Sequence, residues 1–157
     1  MAPAAFATDN LHVSDHSGHI GLTLDLDGGC RVGSLTVDGV EVLAGSGVRT
    51  GVRTRGGAYT SGAVKSAPRV SRRGDVLTVD SIVYGDGALA YTESWRFEPC
   101  GDAIVWTIAS NTGTALARVE DRFVPQWDFA AMDTWKGGIL DNGGMVWCKY
   151  LRSEDDT

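Results

Sequence analysis

At 157 residues and 16.6 kDa, with 43% hydrophobic residues, the chain is sized for one domain spanning residues 1–157. A chain of this length can bury roughly 70% of its unfolded surface, which excludes disorder of the whole chain. A net charge of -6 and a pI near 4.9 argue against a nucleic-acid partner, whose phosphates need a field of the opposite sign.

Glycine supplies 21 residues without a G-X-Y period and proline only 4, so collagen and proline-rich linkers fail, and a turn-rich globular fold remains. No apolar run approaches the ~20 residues of a membrane span, so no membrane partner is expected. Met1 to Ala7 lacks the pattern of an export signal. That favours the cytoplasm unless such a signal lies outside this stretch. Cys30, Cys100 and Cys148 are widely spaced, with no C-x-x-C pair, which argues against zinc and for a reducing compartment. No metal site and no cofactor are expected. His12, His16 and His19 cluster with Asp15, but the turn-like Ser14–Gly18 context sets them poorly for a shared ion.

Charge is unevenly spread. Between Val42 and Gly74 there is no acid, while Arg49, Arg53, Arg55, Lys65, Arg69, Arg72 and Arg73 are all cations. Such a stretch reads as a solvated basic surface or as an anion or partner site.

Taken in chain order, Ile20–Leu26 alternates large aliphatics with Gly21, Thr23 and Asp25, the pattern of a half-buried strand. Leu35–Leu43 contains Asp38-Gly39, the dipeptide of a type I′ hairpin turn. The Gly/Arg/Ser-rich stretch from Gly45 to Gly74 is expected to be a long loop with one or two edge strands. Alternation returns in Val76–Tyr84, Ala90–Phe97, Ile104–Ser110, Leu116–Val124 and Met145–Leu151, separated by Gly/Asp/Asn turn clusters. Gln126–Lys136, where Trp127, Ala131 and Trp135 recur four residues apart, predicts a short helix or an ordered loop. Closely spaced strands favour antiparallel neighbours, hence an all-β antiparallel β-sandwich with at most one short helix. Its core is expected from Leu22, Leu24, Val37, Leu77, Val79, Trp95, Ile104, Trp106, Ile108, Val119 and Phe123.

Three groups of residues have chemical potential. Period two places Glu93 on one face with Tyr91, Trp95 and Phe97. Burial there would raise its pKa unless a cation or hydrogen-bond donors offset the desolvation; the bland reading is an arginine partner or a wet sheet edge. Glu120 and Asp121 are adjacent on a strand, so they point to opposite sides and cannot flank one glycosidic bond. After Pro125 the strand pattern stops, and Trp127 and Trp135 lie among Gln126, Asp128 and Asp133. That segment, extended by Glu120 and Arg122, is the expected carbohydrate site, with indoles stacking on a sugar face and polar groups on its hydroxyls. Trp95, Trp106 and Trp147 lie within alternating strands and read as core. Nucleophile-elbow, phosphate-loop, zinc-helix and dinucleotide signatures are missing, so no catalytic residue is assigned.

The order of elements, from Leu35-Thr36-Val37-Asp38-Gly39-Val40-Glu41-Val42 through Ala58-Tyr59-Thr60-Ser61 to Tyr91–Phe97 and Ile104–Ile108, resembles the N-terminal β-supersandwich of multidomain glycoside hydrolases, related to the galactose mutarotase-like fold. The similarity spans about residues 20–151 and rests on strand order and scattered aromatics. It implies an accessory, carbohydrate-associated domain without a complete active site, whose partner would be a catalytic (α/α) barrel missing after Leu151. The two histidines and one glutamate of the mutarotases have no counterparts here, since no histidine follows His19. A free-standing carbohydrate-binding or sugar-modifying protein and a protein-interaction module using the basic stretch are the alternatives.

Overall fold

A computed structural model describes residues 11–86, 90–111, 121–129, 138–141 and 144–147; for residue 111 and the last three segments it describes the backbone. Thirteen strands are present among them: β1 His12–Ser14, β2 Ile20–Asp25, β3 Arg31–Val37, β4 Val40–Glu41, β5 Leu43–Thr54, β6 Gly57–Thr60, β7 Arg69–Arg73, β8 Val76–Tyr84, β9 Tyr91–Cys100, β10 Ala103–Asn111, β11 Asp121–Phe129, β12 Gly138–Asp141 and β13 Gly144–Trp147. All pairings are antiparallel, and no α-helix occurs among the described residues. The fold is all-β and sandwich-like, as the alternation and the short spacings require.

The larger sheet runs β1-β2-β3-β5-β11, with β4 on β3 and β6 on β5. The smaller runs β10-β9-β8-β7, and β12 and β13 form a separate hairpin. Leu22, Leu24, Val32, Val48 and Val52 of the first sheet meet Leu77, Val79, Ile82, Trp95 and Phe97 of the second in one buried cluster. Ile104, Trp106 and Ile108 pack against its flank, half-buried. Trp95 meets Trp106 edge-on at 4.9 Å, and Phe97 stacks on Trp106 at 5.2 Å, so β9 and β10 share an aromatic floor.

One end of the sandwich is closed by β1. Arg72 on β7 donates to the His12 carbonyl, and the His16 N–H bonds the Gly101 carbonyl at the β9–β10 turn. The β3–β4 hairpin turns on Asp38 (φ 51°) and Gly39 (φ 78°), as the dipeptide predicts. Its tip is wet. Val37, placed in the core by alternation, is 41% exposed and Val40 61%, because the hairpin carries them beyond the facing sheet.

Other expectations change in the structure. The stretch from Gly45 to Gly74 holds most of β5 and all of β6 and β7, and β5 is a central strand whose Val48, Thr50 and Val52 are fully buried. Glycines and arginines at the intervening positions mask that inward alternation. Pro125 does not end a strand: β11 continues to Phe129, so Gln126 to Phe129 are strand, not helix. Proline is tolerated because it falls where the register on β5 shifts, between Phe123 and Gln126, on a strand that is outermost among the described residues of the sheet. Val119 and residues 130–136 lie outside the described residues.

A second irregularity lies in β8. Between Val79 and Ile82, which pair with Trp95 and Glu93, β8 spends one residue more than β9, and Ser81 takes a φ of 62°. In β5, Gly47 has a φ of 64°, and a Cβ there would overlap the Val32 carbonyl oxygen. Gly39 has open space around it. Gly39→Ala should therefore cost about 1 kcal/mol, the price of a left-handed backbone. Gly47→Ala, which must also move β3, should cost roughly 3 kcal/mol or more, as read by urea unfolding.

Candidate functional site

Glu93 is the most deeply buried carboxyl group among the described residues, 1% exposed on the inward face of β9. No arginine serves it among its described partners. Thr50 Oγ1 on β5 donates to Oε2 at 2.6 Å, Trp95 Nε1 donates to the same oxygen at 3.0 Å, and the Tyr84 hydroxyl on β8 donates to Oε1 at 2.8 Å. The donors are neutral and come from both sheets, so the carboxyl group is a polar clamp across the sandwich. Neither the arginine partner nor the wet edge expected for this residue is found.

Thr50 is itself held in place. Its N–H bonds Ser61 Oγ at 3.1 Å, its carbonyl accepts the Ser61 N–H at 3.0 Å, and the Ser61 carbonyl accepts the Cys30 N–H at 2.6 Å. Gly29 runs so close to Gly62 that a Cβ on it would lie 2.5 Å from the Gly62 oxygen. Burial, reinforced by the neighbouring Glu93, pushes the Cys30 thiol well above its usual range and leaves it neutral. Burial likewise pushes the Tyr84 phenol up, so it remains a donor. The chemistry-bearing groups Cys30, Thr50, Tyr84 and Glu93 thus gather in one place, but sealed from solvent. A substrate could reach them only if the sheets parted.

The second candidate lies on β11. Its backbone register pairs Asp121 with Arg53, Phe123 with Gly51 and Gln126 with Arg49, while Arg122 pairs with Val52 and Trp127 with Val48. Opposite positions of an antiparallel pair share a sheet face. Positions 121, 123 and 126 therefore belong to the face of exposed Arg53 and half-buried Arg49, and positions 122 and 127 to the face of the buried valines. Of the residues expected at a sugar site, Gln126 and Trp127 are brought onto one strand but opposite faces. Asp128 falls in the second register shift, between Trp127 and Phe129. Glu120, Asp133 and Trp135 lie outside the described residues. Arg49 and Arg53 were not singled out for this site in the sequence; the signal was their spacing of four in an alternating segment disguised by glycine.

The histidines do not converge. His12 bonds Thr23 Oγ1 and Ser14 Oγ, and His19 Nδ1 lies 2.5 Å from Asp38 Oδ1. Among the described residues no three of His, Cys, Asp and Glu gather as metal ligands. Cys30 and Cys100 are free thiols, and Cys148 lies outside the described residues. No described helix is long and apolar enough to cross a membrane. Comparison of the chain with protein-family models, curated proteins and solved structures found no match.

Two predictions follow from these contacts. Tyr84→Phe and Thr50→Val should each cost about 1–3 kcal/mol, because each removes a donor from a buried carboxyl group. Because both serve one carboxyl group, their urea-unfolding free energies should be non-additive in a double-mutant cycle, coupling by roughly 0.5–3 kcal/mol. The hydrogen bond that His19 donates to Asp38, then the charge of Asp38, raises the His19 pKa above its ordinary value. The pair accordingly stabilises the fold below pH ~6.5 and loses that effect as pH rises through the folded value. A proton NMR titration should place the His19 midpoint above that of free histidine, and Asp38→Asn should return it.

Proposed function

We propose that this chain is an accessory, carbohydrate-associated β-sandwich module of a glycoside hydrolase, supplying a binding face and no complete active site. The observation that carries this reading is the register of β11 on β5. It sets Gln126 against Arg49 and Asp121 against Arg53 on one sheet face. Guanidinium, amide and carboxylate groups are planar and two-pronged, and they suit the vicinal hydroxyls of a sugar, each of which can donate and accept. Between the two pairs, Phe123 lies opposite Gly51, an aromatic position facing one without a side chain.

The sealed clamp at Glu93 supports an accessory role in another way. Its carboxyl group is committed to Thr50, Tyr84 and Trp95, and serves the joining of the sheets. Trp127 is at the register of buried Val48, so in this reading the face of Arg49, Arg53 and Gln126 meets the ligand first.

Glycan-array screening followed by calorimetry on the best ligand tests the proposal. The wild-type chain should bind at least one glycan, and the Arg49→Ala, Gln126→Ala double variant should bind it roughly tenfold more weakly, the loss of one or two net hydrogen bonds. Equal affinity of the two proteins would move the site off this face. A wild-type chain that binds no glycan on the array would defeat the carbohydrate reading.

A further inference from the structure

The cations of the Val42–Gly74 window are parted by the fold. Arg49 and Arg53 lie on β5, whereas Arg69, Arg72 and Arg73 lie on β7, the outermost strand of the smaller sheet. On one side β7 pairs with β8; among the described residues its other side pairs with no strand. All its residues but Val70 are exposed. Such an edge presents backbone N–H and C=O groups in a row, a ready template for another chain.

The side chains decide which chain. Arg69, Ser71 and Arg73 share one face of β7 by period two, and Val70 and Arg72 share the other. Arg69 donates to Ser81 Oγ at 3.0 Å and Arg72 to the His12 carbonyl, so both are held near the edge by neutral acceptors. Arg73 makes no ion pair among the described residues, and Asp80, in register with Arg69, makes none with it. A second copy of β7 added here would bring arginines against arginines, a destabilising arrangement. That repulsion guards the edge against self-association. A strand with carboxylates at alternate positions would instead meet Arg69 and Arg73, four residues apart on one face, with opposite charge.

We propose that the free edge of β7 is a strand-addition site for an acidic, extended segment of another protein. Main-chain hydrogen bonds supply the affinity, and Arg69, Arg72 and Arg73 select the sign of charge. Because the chain as a whole is acidic, the attraction is local to this edge and weakens with added salt.

The test uses the full chain, isotopically labelled, with three eight-residue probes: alternating Glu and Thr, alternating Lys and Thr, and the acidic probe N-methylated at every second residue. The acidic probe should shift the backbone resonances of β7 and slow its amide exchange. The lysine probe should not bind. The N-methylated probe, which keeps the charge but loses main-chain donors, should bind at least roughly tenfold more weakly, as should the acidic probe to an Arg69→Glu, Arg73→Glu variant. Both substituted side chains are exposed, and the melting temperature of the variant checks that its fold is retained. Absence of binding by the acidic probe, shifts away from β7, or equal affinity of the N-methylated probe would overturn strand addition. Binding seen only after removal of residues 153–157 would overturn it as well, by making the chain's own Glu154–Asp156 run the occupant.

Discussion

A carboxyl group taken out of water costs several kcal/mol unless donors replace the lost hydration, and the position of Glu93 imposes that condition on both sheets at once. Thr50 reaches it from the larger sheet, and Tyr84 and Trp95 from the smaller. Apolar contacts between sheets can slide with little change in energy, because they are non-directional. Hydrogen bonds to a single carboxyl group cannot. The spacing and lateral alignment of the sandwich are therefore set at this point, and the surrounding Val48, Val52, Leu77, Val79 and Ile82 fill the space it defines.

The same constraint orders the periphery. Thr50 stays in place because Ser61 holds its backbone, and Ser61 is in turn tied to Cys30. The segment from β6 toward β7 is thus anchored at Ser61 before it crosses to the smaller sheet. Polar and cationic groups that take no part in the clamp, notably Arg49, Arg53 and the β7 arginines, are left on solvent faces and edges. Interior chemistry fixes the form, and recognition is left to the exterior.

Strand existence was legible wherever apolar and polar residues alternated cleanly, as in β2, β8, β9 and β10. The Asp38-Gly39 turn was legible because its chemistry is local. The placement of Glu93 among aromatics pointed to a buried acid, but its partners could not be read, since Thr50 and Tyr84 are 43 and 9 residues away and meet it only through sheet packing. β5 was hidden because the positions that alternate with its buried Val48, Thr50 and Val52 are Arg49, Gly51 and Arg53, a composition shared with loops. β11 was misjudged beyond Pro125 because a proline that breaks a central strand is harmless at a register shift on an outer one. The carbohydrate candidates suffered accordingly: Gln126 and Trp127, neighbours in a supposed loop, become opposite faces of a strand.

The extra residue in β8 sets the parity of everything downstream. Inward positions on this strand run Leu77, Val79, Ile82, Tyr84, so the strand changes phase once, at half-buried Asp80 and Ser81, neither of which contributes to the core. Upstream of that point the inward residues are odd-numbered, and downstream they are even. Remove one residue there and a single residue would face Ser94 in an unbroken ladder, with Ile82 and Tyr84 still inward; remove Val83 instead and the Tyr84 hydroxyl would leave Glu93, although composition and hydrophobicity would scarcely change. The chain's tolerance of insertions and deletions is therefore unlike its tolerance of substitutions. A side chain at Ser81 can vary within what a left-handed backbone allows, and the strand can lose its one extra residue there with the clamp still in register, whereas a single-residue deletion between Ile82 and Tyr84 breaks it.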